Sequence, residues 1–262
     1  ALGSSVTMAD GTVSAAGGDA RIAAAQNVAL GAVTAVGDAS VVATAGNITD
    51  NTAAELANVT AQGLRLQAGG SVGAGSGTES DVNAAALNTA VAFLEAQAGQ
   101  NIYVDEADAV TIGGVDGVTV DQVRFDSGTT AVPDGDLAGV DAVAGVAKLK
   151  AGGTVTVAET FTAGTDALIL TTAGDAVLNA DVTAAAGDAA VVAAANVAQN
   201  ADIAAGGDVY VEAQGGSVTM ADGTTSAAGG DARIAAAQDV ALGAVTAAGD
   251  AGIVATAGDI TD

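Results

Sequence analysis

The sequence contains no cysteine, no histidine and only one proline. Without cysteine there can be no disulfide and no thiolate chemistry, and without histidine there can be no Ser-His-Asp triad and no zinc site built on His or Cys. Aromatic residues make up only 2% of the chain, although apolar residues, mostly Ala and Val, make up 50%. Because a thick globular core needs large side chains to reach close-packed density, this composition can fill only a narrow core.

Basic residues are also scarce. The chain has 6 Lys and Arg against 31 Asp and Glu, which gives a formal net charge of −25. Such a surface repels nucleic acid and anionic lipid, so neither is predicted as a partner. Asp, Asn or Gly interrupts every apolar run before it reaches the ~20 residues of a membrane helix, so a membrane-spanning chain is not predicted.

A long repeat spans the sequence. Residues 1–50 and 213–262 are identical at 42 positions and differ at 8, with an offset of 212 between equivalent residues. We therefore interpret residues 1–212 as one long repeat and residues 213–262 as the start of the next, and expect the chain to be a piece of a longer array. Mild exchanges, such as Asn27 for Asp239 and Val41 for Ile253, fit a recent tandem duplication.

A shorter period of about 20 residues lies inside the long repeat. Gly-Asp pairs recur at residues 18–19 and 37–38, and again at residues 187–188 and 207–208, which are intervals of 19 and 20 residues. Between such pairs apolar and polar residues alternate in the sequence, as in DVYVEA (208–213) and TVTV (154–157). Alternation indicates strands with one buried face, β-branched residues favour strands, and Gly and Asp supply turns.

Short strands at this period predict an all-β fold, a parallel β-helix (β-solenoid) in which residues 1–262 form a single segment. Each turn would contribute two or three short strands that pair with the next turn ~4.8 Å away. One turn cannot close a core by itself, so every turn has to repeat the same inward pattern of small apolar side chains. About 13 turns would form a rod of roughly 60 Å.

Two segments depart from this pattern. In residues 81–99, Leu87, Val91 and Leu94 have helix-like spacing and Asp81 could cap the N-terminus, so a helical insertion is an alternative to strand there. Residues 126–141 are the least regular part of the chain and contain the only proline, Pro133. We expect them to bulge out as a loop.

Several stretches resemble the repeat regions of filamentous-haemagglutinin-like exoproteins, which are very large bacterial adhesins of the two-partner secretion class. The stretches are TAQGLRLQAGGSVGAG, LNTAVAFLEAQAGQNIYVDEADAVTIGG and the recurrent units AGGD, AGDA and AGNITD, and the resemblance covers most of the chain. It implies a right-handed parallel β-helix, secretion to the bacterial cell surface, and a role in attachment, aggregation or biofilm matrix. The near-identity over a 212-residue offset is more regular than that family's pattern.

Acidic side chains are the main candidates for a chemical site. Glycosidases use two carboxylates, and pairs such as Asp105 with Glu106 and Asp134 with Asp136 are present, but we interpret these as exposed acids of turns. Hard cations take oxygen ligands, so VPDGDLAGVD predicts a calcium site formed by Asp134, Asp136 and Asp141. Plain solvation of these carboxylates is the alternative, and no cofactor is required.

Together these observations predict a structural and adhesive protein that is not an enzyme. It would form an extracellular rod or filament whose partners are neighbouring repeats, copies of itself stacked end to end, and cell-surface or matrix glycans. The alternative is a carbohydrate-binding or polysaccharide-cleaving β-helix, which would need a groove with exposed aromatic side chains. The aromatic residues of the chain are Phe93, Tyr103, Phe125, Phe161 and Tyr210.

Overall fold

A computed structural model of the chain describes residues 4–53, 56–73 and 86–262. The regular structure in these ranges is entirely β. In chain order the strands are β1 (Val6–Thr7), β2 (Val13–Ala16), β3 (Ala20–Ala24), β4 (Val28–Leu30), β5 (Ala32–Ala35), β6 (Ala39–Ala43), β7 (Ile48–Asp50), β8 (Val59–Ala68), β9 (Leu87–Ala98), β10 (Ile102–Glu106), β11 (Val110–Ile112), β12 (Thr119–Val123), β13 (Thr129–Pro133), β14 (Val140–Ala142), β15 (Ala147–Ala151), β16 (Val155–Val157), β17 (Phe161–Ala163), β18 (Ala167–Thr171), β19 (Ala176–Leu178), β20 (Val182–Ala184), β21 (Ala189–Ala193), β22 (Val197–Gln199), β23 (Ile203–Ala205), β24 (Val209–Ala213), β25 (Val218–Met220), β26 (Thr225–Ala228), β27 (Ala232–Ala236), β28 (Val240–Ala241), β29 (Ala244–Ala247), β30 (Ala251–Ala255) and β31 (Ile260–Thr261).

The strands stack as a parallel β-solenoid of about 12 turns with about 21 residues per turn. A regular turn consists of three short strands separated by bends, as in β18, β19 and β20. Each strand pairs in parallel with its counterpart in the next turn, so β18 pairs with β21, β19 with β22 and β20 with β23. The predicted β-solenoid and its period are confirmed.

The pairings define three faces of the solenoid, which we call A, B and C. Face A runs through β1, β4 and β7, crosses Val72, and continues through β10, β15, β18, β21, β24, β27 and β30. Face B begins with β2, β5 and the first residues of β8, and farther along the axis it runs through β11, β16, β19, β22, β25, β28 and β31. Face C runs through β3, β6, β8, β9, β14, β17, β20, β23, β26 and β29.

The core is a thin column shared by successive turns. On face A, Val191, Val211 and Ile234 lie in register on three turns, and each is fully buried. Alternate residues of the strands point outward, so the strands carry the buried and half-exposed alternation expected of one buried face. Because three faces enclose this column, Ala and Val fill most of it, and Leu and Ile side chains together with Phe161 fill the rest.

The Gly-Asp pairs form a hydrogen-bonded ladder along the bend that precedes face A. Oδ1 of Asp188 accepts the backbone N–H of Asp208, and Oδ1 of Asp208 accepts that of Asp231, each at 2.8 Å. The same contact joins Asp166 to Asp188 and Asp231 to Asp250. Each carboxylate thus satisfies a backbone donor that would otherwise lack a partner at the bend.

A second ladder explains one of the exchanges between the two copies of the repeat. Asn27 Oδ1 accepts the N–H of Asn47, and the equivalent Asp239 Oδ1 accepts the N–H of Asp259, both at 2.9 Å. Asn and Asp offer the same acceptor atom at this position. The exchange therefore preserves the ladder while changing the charge.

A glycine precedes the ladder aspartates Asp188, Asp208, Asp231 and Asp250, because the carboxylate of the turn below occupies the space of a side chain. A Cβ on Gly207 would overlap Oδ1 of Asp188. Gly18 belongs to the first Gly-Asp pair of the chain, and among the described residues no atom lies within 4 Å of a Cβ added there. The recurring Gly-Asp dipeptide is therefore a consequence of close stacking.

The helical alternative for residues 81–99 is wrong for Leu87–Ala98, which form β9, while residues 81–85 lie outside the described residues. Leu87 and Val91 point inward on one side of a bend, and Leu94 points inward on the other side. The pleat changes phase at Ala92, which is exposed and has no partner in the pairing of β9 with β8. This phase change produces intervals of four and three residues, which imitate a helix.

The loop prediction for residues 126–141 is wrong in part: residues 126–128 and 134–139 lie outside the strands, but the rest of the segment does not. Residues Thr129–Pro133 form β13, which pairs antiparallel with β12, and residues 140–141 belong to β14 of face C. The hairpin β12–β13 is the one antiparallel pairing among the described strands. Pro133 lies at the end of an outer strand, where its missing N–H interrupts no ladder.

We expect Gly207→Ala to lower the free energy of unfolding by about 1–2 kcal/mol, because the new Cβ displaces the Asp188 carboxylate and leaves the Asp208 N–H unsatisfied. Gly18→Ala is the matched control, since it alters the same dipeptide where the described structure leaves space, and it should change stability little. Urea unfolding measures both. Equal destabilisation by the two substitutions would contradict the stacking explanation.

Candidate functional site: a projecting hairpin and its docking cluster

The hairpin β12–β13 is an exposed element that projects from the solenoid. Its strands pair from Thr119 with Pro133 to Val123 with Thr129, and nearly every residue in them is exposed. At the tip, the side chain of Val123 is 72% exposed and that of Phe125 is fully exposed. Two large apolar side chains therefore project together from a chain whose surface is otherwise acidic and poor in aromatic residues.

A polar cluster under the hairpin fixes it to the solenoid. We define this docking cluster as Arg21, Ser40, Arg65, Glu95 and Asp134. The first four lie in register on four consecutive turns of face C, at outward positions of β3, β6, β8 and β9. Ser40, Arg65 and Glu95 are nevertheless at most 3% exposed, because the chain that follows the hairpin covers them.

Asp134, directly after β13, forms the charged link of the cluster. Its carboxylate accepts two hydrogen bonds from Arg21, at 2.7 and 2.8 Å, and one from the Ser40 hydroxyl at 2.7 Å. Burial acts to raise the pKa of Asp134, but the hydrogen bonds from Arg21 and Ser40, with the nearby charges of Arg21 and Arg65, hold it below its usual value. A bidentate ion pair thus ties the base of the hairpin to the first turns.

Arg65 lies at the centre of the cluster. Its Nε donates to the carbonyl of Gly135 and its Nη2 donates to Gln67 at 3.0 Å, whereas Nη1 is buried with no hydrogen-bond partner among the described residues. Burial lowers the pKa of Arg65, and the charges of Asp134 and Glu95 oppose that effect. The guanidinium therefore has one hydrogen-bond partner in the solenoid, Gln67, and one at the hairpin base, Gly135.

Glu95 connects the two ends of the insertion that carries the hairpin. One carboxylate oxygen accepts the N–H of Val115, before β12, at 2.9 Å, and the other accepts the N–H of Leu137, after β13, at 3.2 Å. Burial raises the pKa of Glu95 to about 7; the two backbone hydrogen bonds oppose this rise and the charges of Glu159 and Asp136 add to it. A single side chain thus closes the loop at its base.

The structure places the three predicted calcium ligands in different surroundings. Asp134 is engaged by Arg21 and Ser40, Asp136 is exposed, and Asp141 lies in β14 between Gln97 and Thr162. Within residues 4–53, 56–73 and 86–262, no group of three or more acidic side chains is arranged to hold a metal ion. Calcium binding stays a prediction.

The interpretation of the paired acids as exposed is wrong for Glu106 and Asp134. Glu106 is fully buried; its carboxylate accepts the Thr89 hydroxyl at 2.6 Å and the N–H groups of Val91 and Asp108 at 3.2 Å. Burial raises the pKa of Glu106, against the effect of these hydrogen bonds. It stabilises the corner beside β9 by satisfying backbone donors inside the core.

A shallow polar groove adjoins the base of the hairpin on face C. It has a volume of about 230 Å³ and is lined in part by Gln97, Asp141, Thr160 and Thr162. No aromatic side chain lines it, although the structure describes all five aromatic residues of the chain. The one fully exposed aromatic side chain, Phe125, is at the hairpin tip instead.

Comparisons of the chain with family models, with curated proteins and with solved structures find no significant match. No helix in the described chain could cross a membrane. The described fold and contacts define the chain as a parallel β-solenoid with a docked, projecting hairpin.

Sequence reasoning did not find Arg21, Ser40, Arg65 or Glu95 as members of one cluster. A feature of the sequence that could have indicated the cluster is a series of polar residues at outward strand positions, where other strands carry Ala, Val or Thr. Nothing in the chain order indicates that these residues share a column with Asp134, which is 113 residues from Arg21.

Removal of the Asp134 carboxylate tests the docking cluster. We expect Asp134→Ala to destabilise the protein by about 2–4 kcal/mol, because it leaves Arg21 without its acceptor and removes a negative charge that stabilises the buried Arg65. The control is Asp126→Ala, which breaks the exposed 3.5 Å pair with Arg124 and should have little effect. Hydrogen exchange at the Val115 and Leu137 amides should accelerate only in Asp134→Ala, and equal protection in both variants would contradict the docking role.

Glu95 predicts a pH dependence. Its pKa in the folded chain, about 7, is above the usual value of 4.5 for a glutamate, so its contribution to stability is fully present below pH ~4.5 and is lost as the pH rises through 7. Glu95→Gln should therefore reduce the loss of stability between pH 5 and pH 8.5, by up to ~3 kcal/mol. Glu212→Gln removes one charge from an outward position of β24 and is the control. If both variants keep the wild-type pH profile, this role of Glu95 is wrong.

Proposed function

We propose that the protein is a structural and adhesive element of an extracellular filament, in which the solenoid is the shaft and the hairpin β12–β13 is the contact element. The shaft is supported by backbone pairing that continues from β1 to β31 along the faces of the solenoid. The contact element is supported by the exposure of the hairpin and by the cluster that fixes its base.

The proposal of a shaft rests on the strand-pairing register, which is the same in both copies of the repeat. Val6 pairs with Val28, and the equivalent Val218 pairs with Val240 in the same way. The pairing of β3 with β6 recurs between β27 and β30, again displaced by 212 residues. A new copy of the repeat thus begins on the end of the old one without a break in the ladder, so repeat number can set filament length.

The hairpin suits contact with a partner because its location and its chemistry differ from those of the shaft. A net charge of −25 opposes the approach of other acidic surfaces to the shaft. Val123 and Phe125 form an apolar tip that projects from the shaft, and Arg124 between them pairs with Asp126 at 3.5 Å. Aromatic and arginine side chains supply much of the binding energy in protein interfaces and also stack on sugar rings.

The groove beside the hairpin supports a second candidate function, binding or cleavage of a polysaccharide. Gln97, Asp141 and the two threonines present hydroxyl, amide and carboxylate groups to a cavity open to solvent. A chain that acts in this way would recognise or release sugar through the groove, whereas an adhesin of the proposed kind would bind through the hairpin tip.

The test uses beads that carry the whole chain and measures their retention on glycan arrays, matrix polysaccharide and bacterial cells. We expect the double substitution Val123→Thr with Phe125→Ser to reduce retention about tenfold, because it removes both apolar side chains of the tip. Val36→Thr, at an apolar side chain that is 73% exposed elsewhere, is the matched control. Unchanged retention in the double variant, or sugar release from the polysaccharide by the unmodified chain, would contradict the proposal.

A further inference from the structure

The two copies of the repeat occupy different faces of the solenoid. β1 lies on face A, and its copy β25 lies on face B, where it pairs with β22 and β28. In the same way β3 lies on face C, and its copy β27 lies on face A, between β24 and β30. Sequences that are almost identical are therefore rotated about the axis relative to each other.

The pairings give the size of this rotation. Starting from Val6, the residues one to eight turns later in the same column are Val28, Ile48, Val72, Ile102, Ala147, Ala167, Ala189 and Val209. Val218, the copy of Val6, lies one strand beyond Val209, on the next of the three faces. The 212-residue repeat thus spans eight turns and one face, and it is not a whole number of turns.

We propose that tandem repeats present the hairpin β12–β13 as a helical array around the filament, with each hairpin one face further round than the last. This inference rests on the proposed filament and deepens it. With ~4.8 Å per turn, successive hairpins are about 40 Å apart along the axis, and every third hairpin returns to the same side after about 120 Å.

The arrangement of the hairpins around the axis determines which surfaces the filament can contact. A filament lying on a flat surface reaches it with every third hairpin, and the other two thirds project toward its flanks and its upper side. Such a filament bridges two surfaces, or a surface and a second filament, and several weak contacts add through multivalency. A repeat with a whole number of turns would align all hairpins on one side and would hold a single surface.

The registers at the start of the second copy support continuation of this rotation. All four pairings among the first turns, β1 with β4, β4 with β7, β2 with β5 and β3 with β6, recur 212 residues later on the next face. Arg21 also recurs, as Arg233, at an outward position on the new face. The arginine that donates to Asp134 is therefore carried round with the strands.

The test extends the full chain with two further copies of residues 51–262, which gives three hairpins in one molecule. The sequence has no cysteine, so Gln122→Cys, at an exposed position of β12, supplies a unique thiol in each hairpin for a biotin–streptavidin label. Cryo-electron microscopy should show labels about 40 Å apart along the rod and on three different sides.

A matched control duplicates residues 189–208 in each repeat, which adds one whole turn because Ala189 pairs with Val209. Its labels should move apart by one strand separation and keep their angular step. Labels aligned on one side of the rod, or a rod broken at the repeat junction, would overturn the proposal. Retention of the unmodified chain on surfaces is measured separately, so an array of this form on a chain that does not adhere would refute the adhesive function and leave the geometry standing.

Discussion

The structure depends on parallel, in-register pairing between one turn and the next. Because each strand lies directly over its counterpart, every side chain meets the equivalent side chain of the turns above and below, a strand separation away. Inward positions are then restricted to residues that three faces can enclose together, as with Val191, Val211 and Ile234. At the bends the same pairing brings each aspartate under the next backbone N–H and leaves no space for a Cβ at Gly207.

The same constraint creates the hairpin's attachment site. Outward residues of a solenoid normally face water, where a lone arginine or glutamate contributes little to stability. On face C, register aligns Arg21, Ser40, Arg65 and Glu95 into one polar column, and the segment after β13 covers it. Covered in this way, their hydrogen bonds hold the insertion together with its buried side chains Val115 and Val118. The shaft therefore provides a rigid outer surface on which polar side chains can form an attachment site, although its core is narrow.

The sequence predicted the fold because stacking leaves a periodic trace in it. Alternation within strands, the Gly-Asp interval and the 212-residue offset all follow from one turn resembling the next, and each is visible without coordinates. The misses occur where the period is interrupted. The long strand β9 changes pleat phase at Ala92, so its inward residues take on helical spacing, and the hairpin is an insertion with antiparallel pairing of its own.

The docking cluster could not be predicted for a related reason. Arg21 and Ser40 are one turn apart in 19 residues, but Arg65 and Glu95 are one turn apart in 30, because an insertion lengthens that turn. Spacing alone therefore cannot place the four side chains in one column, and still less bring Asp134 to them. The composition of a strongly acidic chain predicts that its carboxylates face solvent, and this prediction is wrong for Asp134 and Glu106. Both accept hydrogen bonds instead, Glu106 at a buried position and Asp134 at a half-buried one.

The eight differences between the two copies show which contacts the fold enforces. Val41 and Ile253 are both apolar at an inward position, and Asn27 and Asp239 both present Oδ1 to the turn above. Ser40 and Gly252 differ in kind, because the serine hydroxyl donates to Asp134 and glycine offers no such group. Arg21 and Arg233 are retained, and the arginine alone makes two of the three hydrogen bonds to Asp134. The second copy therefore keeps the donor of the ion pair and lacks the hydroxyl donor, while the exchanges at Asn27 and Val41 keep the contacts of the ladder and the core.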